Sequence, residues 1–250
     1  MLYNPNMIEY KTIKHFKFEP NQIEIKEIPI KYDRNKYLQK EINDFWQEMD
    51  KKAKSEGKRI WDSQIYTLSD YRLLGDHILM KLGVINYRTY FYFRNHPDKL
   101  EGAKLDPGLG VGALIKTTDD KYIFGVPNTA FNDSSYVIIG GGCVKSEMEI
   151  HGWEDFMECF YKELLEEIGV DKSHVTSAML SGFIGVPNTV QAILKIELDM
   201  SSEEVIAAHK KENDGEISNV IAYTKEEIFE KFGESEDSKD KVLVEWMGKI

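Results

Sequence analysis

The stretch that decides the fold is Gly152-Trp-Glu-Asp-Phe-Met-Glu-Cys-Phe-Tyr-Lys-Glu-Leu-Leu-Glu-Glu-Ile-Gly-Val170. Its large apolar residues recur at three- and four-residue steps, which predicts an amphipathic helix. The buried face is predicted to consist of Trp153, Phe156, Met157, Phe160, Leu164 and Ile168. Gly169 follows where a left-handed helix end is expected. Three glutamates, Glu163, Glu166 and Glu167, lie together along the edge of that face.

These three glutamates are unfavourable for the helix itself. Each like-charged pair at this spacing costs a few tenths of a kcal/mol, about 0.2–0.5 on an exposed helix. The helix dipole also disfavours negative charge near a C-terminus. Two interpretations remain open on the triplet alone: a solvated acidic face, or a set of oxygen ligands for a hard divalent cation such as Mg²⁺.

Outside this helix, the chain alternates between predicted strands and helices. Strands are predicted at 111–116, 122–126, 136–139, 178–184 and 190–198, and capping boxes at Ser201 and Thr224 predict two later helices. The glycines between Pro107 and Gly112 lead into a strand, whereas a dinucleotide fingerprint must follow a strand and open a helix. The pattern therefore indicates an α/β (α+β) protein without a Rossmann site.

The first hundred residues predict further strands and one long helix. Strands are predicted at 12–18 and 22–28 with a turn at Pro20-Asn21, a helix at 35–54 that stops at Gly57, and a strand pair at 60–68 and 77–82. At the other end, the charged segment 234–240 is predicted to be a mobile tail.

Composition excludes several classes of function. The chain has 250 residues, a net charge of −11 and only two cysteines. An acidic protein has no generic attraction for nucleic acid or anionic lipid. The sequence has no apolar run of about 18 residues, so a membrane span is not expected. With no disulfide scaffold and no signal-peptide pattern, we expect a cytoplasmic protein.

The region from about Pro107 to Phe232 resembles the Nudix hydrolases. Their box reads G-x5-E-x7-R-E-U-x-E-E-x-G-U, where U is bulky and aliphatic. This chain supplies Glu154 and then Lys162-Glu-Leu-Leu-Glu-Glu-Ile-Gly-Val170 at the matching positions. The resemblance implies a Nudix-type α/β/α sandwich with a mixed central sheet and an N-terminal strand/helix extension.

The sequence departs from this motif at two positions. Lys162 stands where the family has an arginine, which keeps the charge but loses the planar fork. Gly142 lies twelve positions before Glu154, whereas the box glycine lies six before. The loop after Gly142 is therefore about six residues longer than the motif. We expect it to bulge outward, since loop length costs little free energy.

The resemblance implies specific roles for residues of the motif. Glu163, Glu166 and Glu167 are expected to be catalytic and to bind Mg²⁺ or Mn²⁺, with Glu163 as the alternative acceptor of the proton from the attacking water. A carbonyl at Gly142, or at neighbouring Gly141, is expected to complete the metal site. Glu154 is expected to have a supporting role, and Glu216 is a candidate further acid, although a solvated turn acid is the stronger interpretation.

The N-terminal region is similar to that of UDP-sugar diphosphatase-like Nudix proteins, at Ile60-Trp-Asp62, Tyr66-Thr-Leu68 and 79–90. This implies an N-terminal region (1–104) for substrate specificity or dimerisation and a hydrolase core (105–250). The expected substrate is a nucleoside diphosphate linked to a moiety X, such as UDP-glucose or UDP-galactose. The alternatives are ADP-ribose and a catalytically silent nucleotide sensor. A homodimer is a further candidate arrangement. For Tyr87 and Arg88, packing against neighbouring elements is the stronger interpretation and contact with the nucleotide is the alternative.

Overall fold

The computed structural model describes residues 10–29, 36–55, 60, 62–100, 105–128, 135–186 and 189–249. The helices in these ranges are α1 (Lys36–Ser55), α2 (Tyr87–Asn95), α3 (Trp153–Ile168), α4 (Ser202–Lys211), α5 (Lys225–Phe232) and α6 (Ser238–Met247). The strands are β1 (Lys11–Phe18), β2 (Ile23–Glu27), β3 (Gln64–Leu74), β4 (His77–Asn86), β5 (Gly108–Lys116), β6 (Lys121–Pro127), β7 (Val175–Val186), β8 (Thr189–Leu198) and β9 (Ile217–Thr224).

All of these strands belong to one mixed sheet. Its main order is β1-β7-β8-β5-β3-β4-β2, and β6 pairs with both β5 and β9. The β5–β8 and β2–β4 pairs are parallel, while the other pairs are antiparallel. Strands from the predicted N-terminal region thus share the sheet with strands of the predicted core. The division of function between 1–104 and 105–250 stays a prediction.

Helices cover both faces of the sheet. Along β5, Val111 and Ala113 belong to the buried cluster that contains the apolar face of α3, and Leu114 belongs to the cluster formed by α5 and α6. Successive strand residues point to opposite faces, so one strand contributes to both clusters. Each fully buried large side chain contributes roughly 1.5–3 kcal/mol. The predicted α/β/α sandwich with a mixed sheet is confirmed.

The strands β5 and β6 pair only over two residues, Ile115↔Ile123 and Lys116↔Tyr122. The segment 136–144 runs between them beyond that point. Val137 bridges to Gly125 of β6, and Gly142 bridges to Gly110 of β5. The strand predicted at 136–139 is therefore present only as isolated bridges, and it brings the Gly140-Gly-Gly142 backbone into the sheet beside α3.

The long loop before α3 does not bulge outward, which corrects the expectation from its length. Tyr66 N–H of β3 donates to the Cys143 carbonyl at 2.9 Å, and the Ile150 N–H donates to the Tyr66 hydroxyl at 2.9 Å. Both Cys143 and Ile150 are buried. The extra residues extend the pairing with β3 and then bury an isoleucine, which stabilises the loop more than exposure to solvent would.

The C-terminal segment also differs from its prediction. Instead of a mobile charged tail, residues 238–247 form α6, and Val242, Leu243, Trp246 and Met247 of this helix are buried. Asp240, inside the predicted tail, accepts a hydrogen bond from the Tyr136 hydroxyl at 2.6 Å. The apolar residues of α6 follow the charged stretch, so the charge of residues 234–240 alone does not predict this helix.

Other predicted elements are present with shifted ends. The helix predicted at 35–54 is α1, and its predicted stop Gly57 lies outside the described residues. The strand β5 begins at Gly108, earlier than predicted, and β9 was not predicted. No helix in the described ranges is long and apolar enough to cross a membrane.

Candidate active site

The helix α3 is delimited by glycines and local hydrogen bonds. Gly152 is its N-cap, and Glu154 and Asp155 lie in the first turn, where the helix dipole favours acids. The Asp155 carboxylate accepts the His151 N–H at 2.8 Å. Gly169 ends the helix with φ +68°, and a side chain there would meet the Glu212 carbonyl at 2.6 Å. The predicted left-handed end is confirmed, and it fixes the last turn, which contains Glu166 and Glu167.

Glu167 is directed into the protein and is bound by backbone. Its side chain is 6% exposed. The Gly140 N–H donates to Glu167 Oε2 at 2.9 Å. Burial raises the pKa of Glu167 to about 8, the Gly140 hydrogen bond opposes this rise, and the charges of Glu163, Glu216 and Asp214 add to it. A negative charge here is therefore costly in the protein alone.

Glu163, one turn earlier on α3, lies against the next glycine. A Cβ added to Gly141 would lie 2.6 Å from the carboxyl carbon of Glu163, a distance that only glycine allows without movement. Burial raises the pKa of Glu163 to about 7; Lys162 lowers it, and Glu166, Glu216 and Glu147 raise it. The missing side chain at Gly141 thus makes room for Glu163, while the neighbouring Gly140 binds Glu167 through its N–H.

Glu166 is the more exposed member of the triplet. The ammonium nitrogen of Lys162 lies 3.5 Å from Glu166 Oε2 and 2.6 Å from Glu147 Oε2. Glu147 belongs to the long loop, so that loop places a carboxylate beside the lysine that replaces the motif arginine. The exposed ion pair between Lys162 and Glu147 contributes at most about 1 kcal/mol to stability. It nevertheless fixes the direction of the Lys162 side chain.

A second loop brings further acids to the end of α3. The Asp214 N–H donates to the Glu166 carbonyl at 2.8 Å, and the Asn128 N–H donates to the Glu216 carbonyl at 2.7 Å. Burial raises the pKa of Glu216, and the charges of Asp214 and Glu166 add to this. Glu216 and Glu167 line the same cavity. The candidate acid Glu216 therefore lies beside the triplet, and its role as a ligand stays a prediction.

The donor set suits a hard divalent cation. Among the described residues, no group of three His, Cys, Asp or Glu side chains is already arranged around one point for a metal ion. Burial and like charges nonetheless raise the pKa of Glu163 and of Glu167. Both side chains lie at a backbone that also offers carbonyl oxygens. A cation such as Mg²⁺ prefers these oxygens and offsets such charge. The residues present fit the ion.

Other predicted site residues lie elsewhere. Glu154 is exposed in the first turn of α3, nine residues and about 13 Å along the helix from Glu163. Gly142 is exposed beside Gly141, and nothing lies within 4 Å of a Cβ built on it. Its carbonyl stays a predicted ligand. Arg88 pairs with Asp62 at 2.5 Å, and Tyr87 stacks on Phe91 at 6.0 Å, so both take part in packing around α1 and α2, as expected.

No protein-family model and no curated protein matches the chain. Among solved structures, the Deinococcus radiodurans protein DR0079 matches 75% of this chain and 98% of its own, at 13% identity and a TM-score of 0.43. A hydrolase of the NUDIX family from Clostridium perfringens matches 57% of this chain and 97% of its own, at 14% identity and a TM-score of 0.33. A bifunctional NMN adenylyltransferase/ADP ribose pyrophosphatase from Francisella tularensis matches 55% of this chain and 40% of its own, at 12% identity and a TM-score of 0.33.

Proposed function

We propose that this chain is a Nudix-type hydrolase that cleaves the diphosphate bond of a nucleoside diphosphate linked to a moiety X, with Mg²⁺ or Mn²⁺ as the metal. The main support is the placement of buried Glu167 and half-buried Glu163 against two consecutive glycines. Gly140 donates to Glu167, and Gly141 lies against Glu163. A structural role alone gives no reason to bury two acids together, since desolvation and mutual repulsion both oppose it.

The proposed chemistry is attack of water on phosphorus. Glu163, Glu166 and Glu167 would hold the metal through their carboxylate oxygens. The metal offsets the charge of the diphosphate and lowers the pKa of bound water. In the alternative role, Glu163 accepts the proton of the attacking water, and the neighbouring Lys162 stabilises the charged form of Glu163. The Gly140 N–H keeps Glu167 at the backbone while the reaction proceeds.

The proposed substrates are UDP-sugars, and ADP-ribose is the alternative. A sugar nucleotide would give a nucleoside monophosphate and a sugar phosphate. Action in the cytoplasm is part of this proposal, and both cysteines are free and buried, as a reducing compartment permits. A homodimer stays a prediction, for which β1 and β2, at the two ends of the main strand order among the described residues, offer sheet edges.

The test is a panel of UDP-glucose, UDP-galactose and ADP-ribose, each assayed with Mg²⁺, with Mn²⁺ and with EDTA. We expect release of the nucleoside monophosphate with a divalent ion and none with EDTA. If no substrate is cleaved while nucleotides still raise the melting temperature, the proposal of an enzyme fails and the silent sensor replaces it.

A further inference from the structure

A cavity of about 290 Å³ adjoins Glu167 and Glu216 on the α6 side of the sheet. Most of its wall is apolar, with Leu114, Ile184, Ile193, Val242, Leu243 and Trp246 among the lining side chains. Gly140, Glu167 and Glu216 line it as well. A ligand whose diphosphate lies at the glutamates therefore has an adjoining apolar space for another of its groups. Pockets of about 300 Å³ are large enough for small ligands.

One cation lines this cavity. The Lys239 ammonium donates to the Tyr136 carbonyl at 2.9 Å and lies 4.0 Å from the centre of the Tyr136 ring. In the described part of the chain, Lys239 forms no salt bridge. The neighbouring Asp240 carboxylate is instead engaged by the Tyr136 and Ser235 hydroxyls, each at 2.6 Å. An ammonium has three donors, so Lys239 retains donors for a ligand.

A neutral polar side chain, Gln191, also lines the cavity. Gln191 is on β8 opposite Gly110 of β5, and its side-chain amide has no hydrogen-bond partner among the described residues. An amide side chain offers both a donor and an acceptor. The cavity thus combines apolar walls with a free donor–acceptor pair at Gln191 and a free cationic donor at Lys239.

The partial burial of Lys239 also favours a ligand that has an oxygen acceptor at this position. Desolvation lowers the pKa of this lysine, while Asp240 and Asp237 act in the opposite direction. A partly buried ammonium that keeps its charge is stabilised by an oxygen acceptor on a ligand.

We propose that this cavity binds the base of the nucleotide and that Lys239 and Gln191 select bases with a carbonyl oxygen next to a ring N–H. This inference rests on the proposed function, and it supplies the discrimination between a uridine and an adenosine substrate. A nucleobase has two apolar faces and a polar edge, which matches these walls and these two side chains. Uracil and guanine both present a carbonyl and a ring N–H.

Adenine has no carbonyl, and its exocyclic amino group is a donor. Gln191 alone can pair with the adenine edge, but Lys239 then meets a donor or a weaker nitrogen acceptor. Sites built to hydrogen-bond a group reject analogues that leave buried polar groups unpaired. The pair of side chains therefore favours uracil or guanine over adenine, and the smaller uracil requires less of the cavity.

The experiment measures binding of UMP, GMP, CMP and AMP to the full chain by calorimetry without divalent metal. The phosphate is the same in all four, so differences report on the base. We expect UMP or GMP to bind at least about tenfold more tightly than AMP. Lys239→Met should reduce that preference to less than about threefold, and the exposed Lys241→Met on the same helix should keep it.

Gln191→Glu provides a second variant, since it replaces the amide donor by an acceptor. It should weaken UMP binding more than AMP binding, because the uracil carbonyl then faces an acceptor whereas the adenine amino group can donate to it. Equal binding of all four nucleotides, no binding of any of them, or an unchanged preference in both Lys239→Met and Gln191→Glu overturns the inference. A preference for UMP without hydrolysis of any substrate contradicts the proposed function alone. Metal-dependent hydrolysis with equal binding of all bases contradicts this inference alone.

Discussion

The Gly140 amide donates a hydrogen bond to the Glu167 carboxylate across 2.9 Å, which joins the glycine segment in the sheet to the last turn of α3. Gly140 has φ +144°, a backbone conformation that residues other than glycine rarely adopt. The position of Glu167 therefore depends on a residue that tolerates this conformation.

Gly140→Ala should destabilise the protein. The new Cβ would lie 2.1 Å from the Val111 carbonyl oxygen of β5, in addition to the strain from the positive φ. We expect the free energy of unfolding to fall by about 2–4 kcal/mol, as measured by chemical denaturation. The matched control is Gly142→Ala, which meets no atom within 4 Å and should change stability by less than about 0.5 kcal/mol. Equal effects of the two substitutions would contradict this account of the turn.

Gly141→Ala should impair hydrolysis more than stability. The added methyl group would lie 2.6 Å from the Glu163 carboxyl group, which is the end of a side chain and can move. A displacement of about 1 Å at a reacting group can cost about 10²-fold in rate. We expect kcat with the preferred substrate to fall by about that factor, while the free energy of unfolding changes by less than about 1 kcal/mol. Unchanged kcat would show that the position of Glu163 does not matter.

Asp119→Asn should lower stability at neutral pH but not in acid. The Asp119 carboxylate accepts from the Ser202 N–H at 2.8 Å and from the Ser202 and Thr117 hydroxyls, each at 2.7 Å. These bonds and Lys121, 3.3 Å away, hold its pKa well below the usual range. Charge-assisted hydrogen bonds of this kind contribute about 1.5–3 kcal/mol each, and exposure to solvent at Asp119 reduces that contribution.

The sign of the pH dependence follows from the lowered pKa. The contribution of Asp119 is present above its unfolded pKa of about 3.9 and is lost as pH falls towards the folded value. The difference in free energy of unfolding between wild type and Asp119→Asn should therefore shrink below about pH 4. The exposed neighbour Asp120, which pairs with Lys116, is the control: Asp120→Asn should have a much smaller effect. A difference that is independent of pH would refute the role assigned to Asp119.

Met247→Ala should show that α6 is part of the folded core. Met247 is fully buried. Truncation of a buried methionine to alanine costs about 2–5 kcal/mol, so the midpoint of denaturation should fall clearly. The exposed Lys241→Ala on the same helix should be nearly neutral. Similar midpoints for wild type and Met247→Ala would mean that this segment contributes little to the fold.

The sequence was a good guide where one regular pattern dominated. The apolar period of α3 and Gly169 predicted a helix, its buried face and its end, and the structure has all three. The capping boxes at Ser201 and Thr224 likewise predicted α4 and α5. These features are local, so a few neighbouring residues determine them.

Features that depend on distant partners were not predicted. The long loop after Gly142 pairs with Tyr66 of β3, more than seventy residues earlier, which loop length does not reveal. The role of Gly140 depends on its contact with Val111 and Glu167. The charge pattern places Lys239 in a charged tail, since its position beside Tyr136 is visible only in the fold.

The most direct test of the central claim compares hydrolysis by Glu167→Gln and by wild type with Mg²⁺. Glutamine keeps an oxygen that can accept the Gly140 N–H, but it removes the charge, so the fold should be kept while turnover falls by on the order of 10²-fold or more. The control Glu158→Gln changes a glutamate of the same helix that pairs with Lys172 and should keep wild-type turnover. Full turnover by a folded Glu167→Gln protein would contradict the assignment of this site.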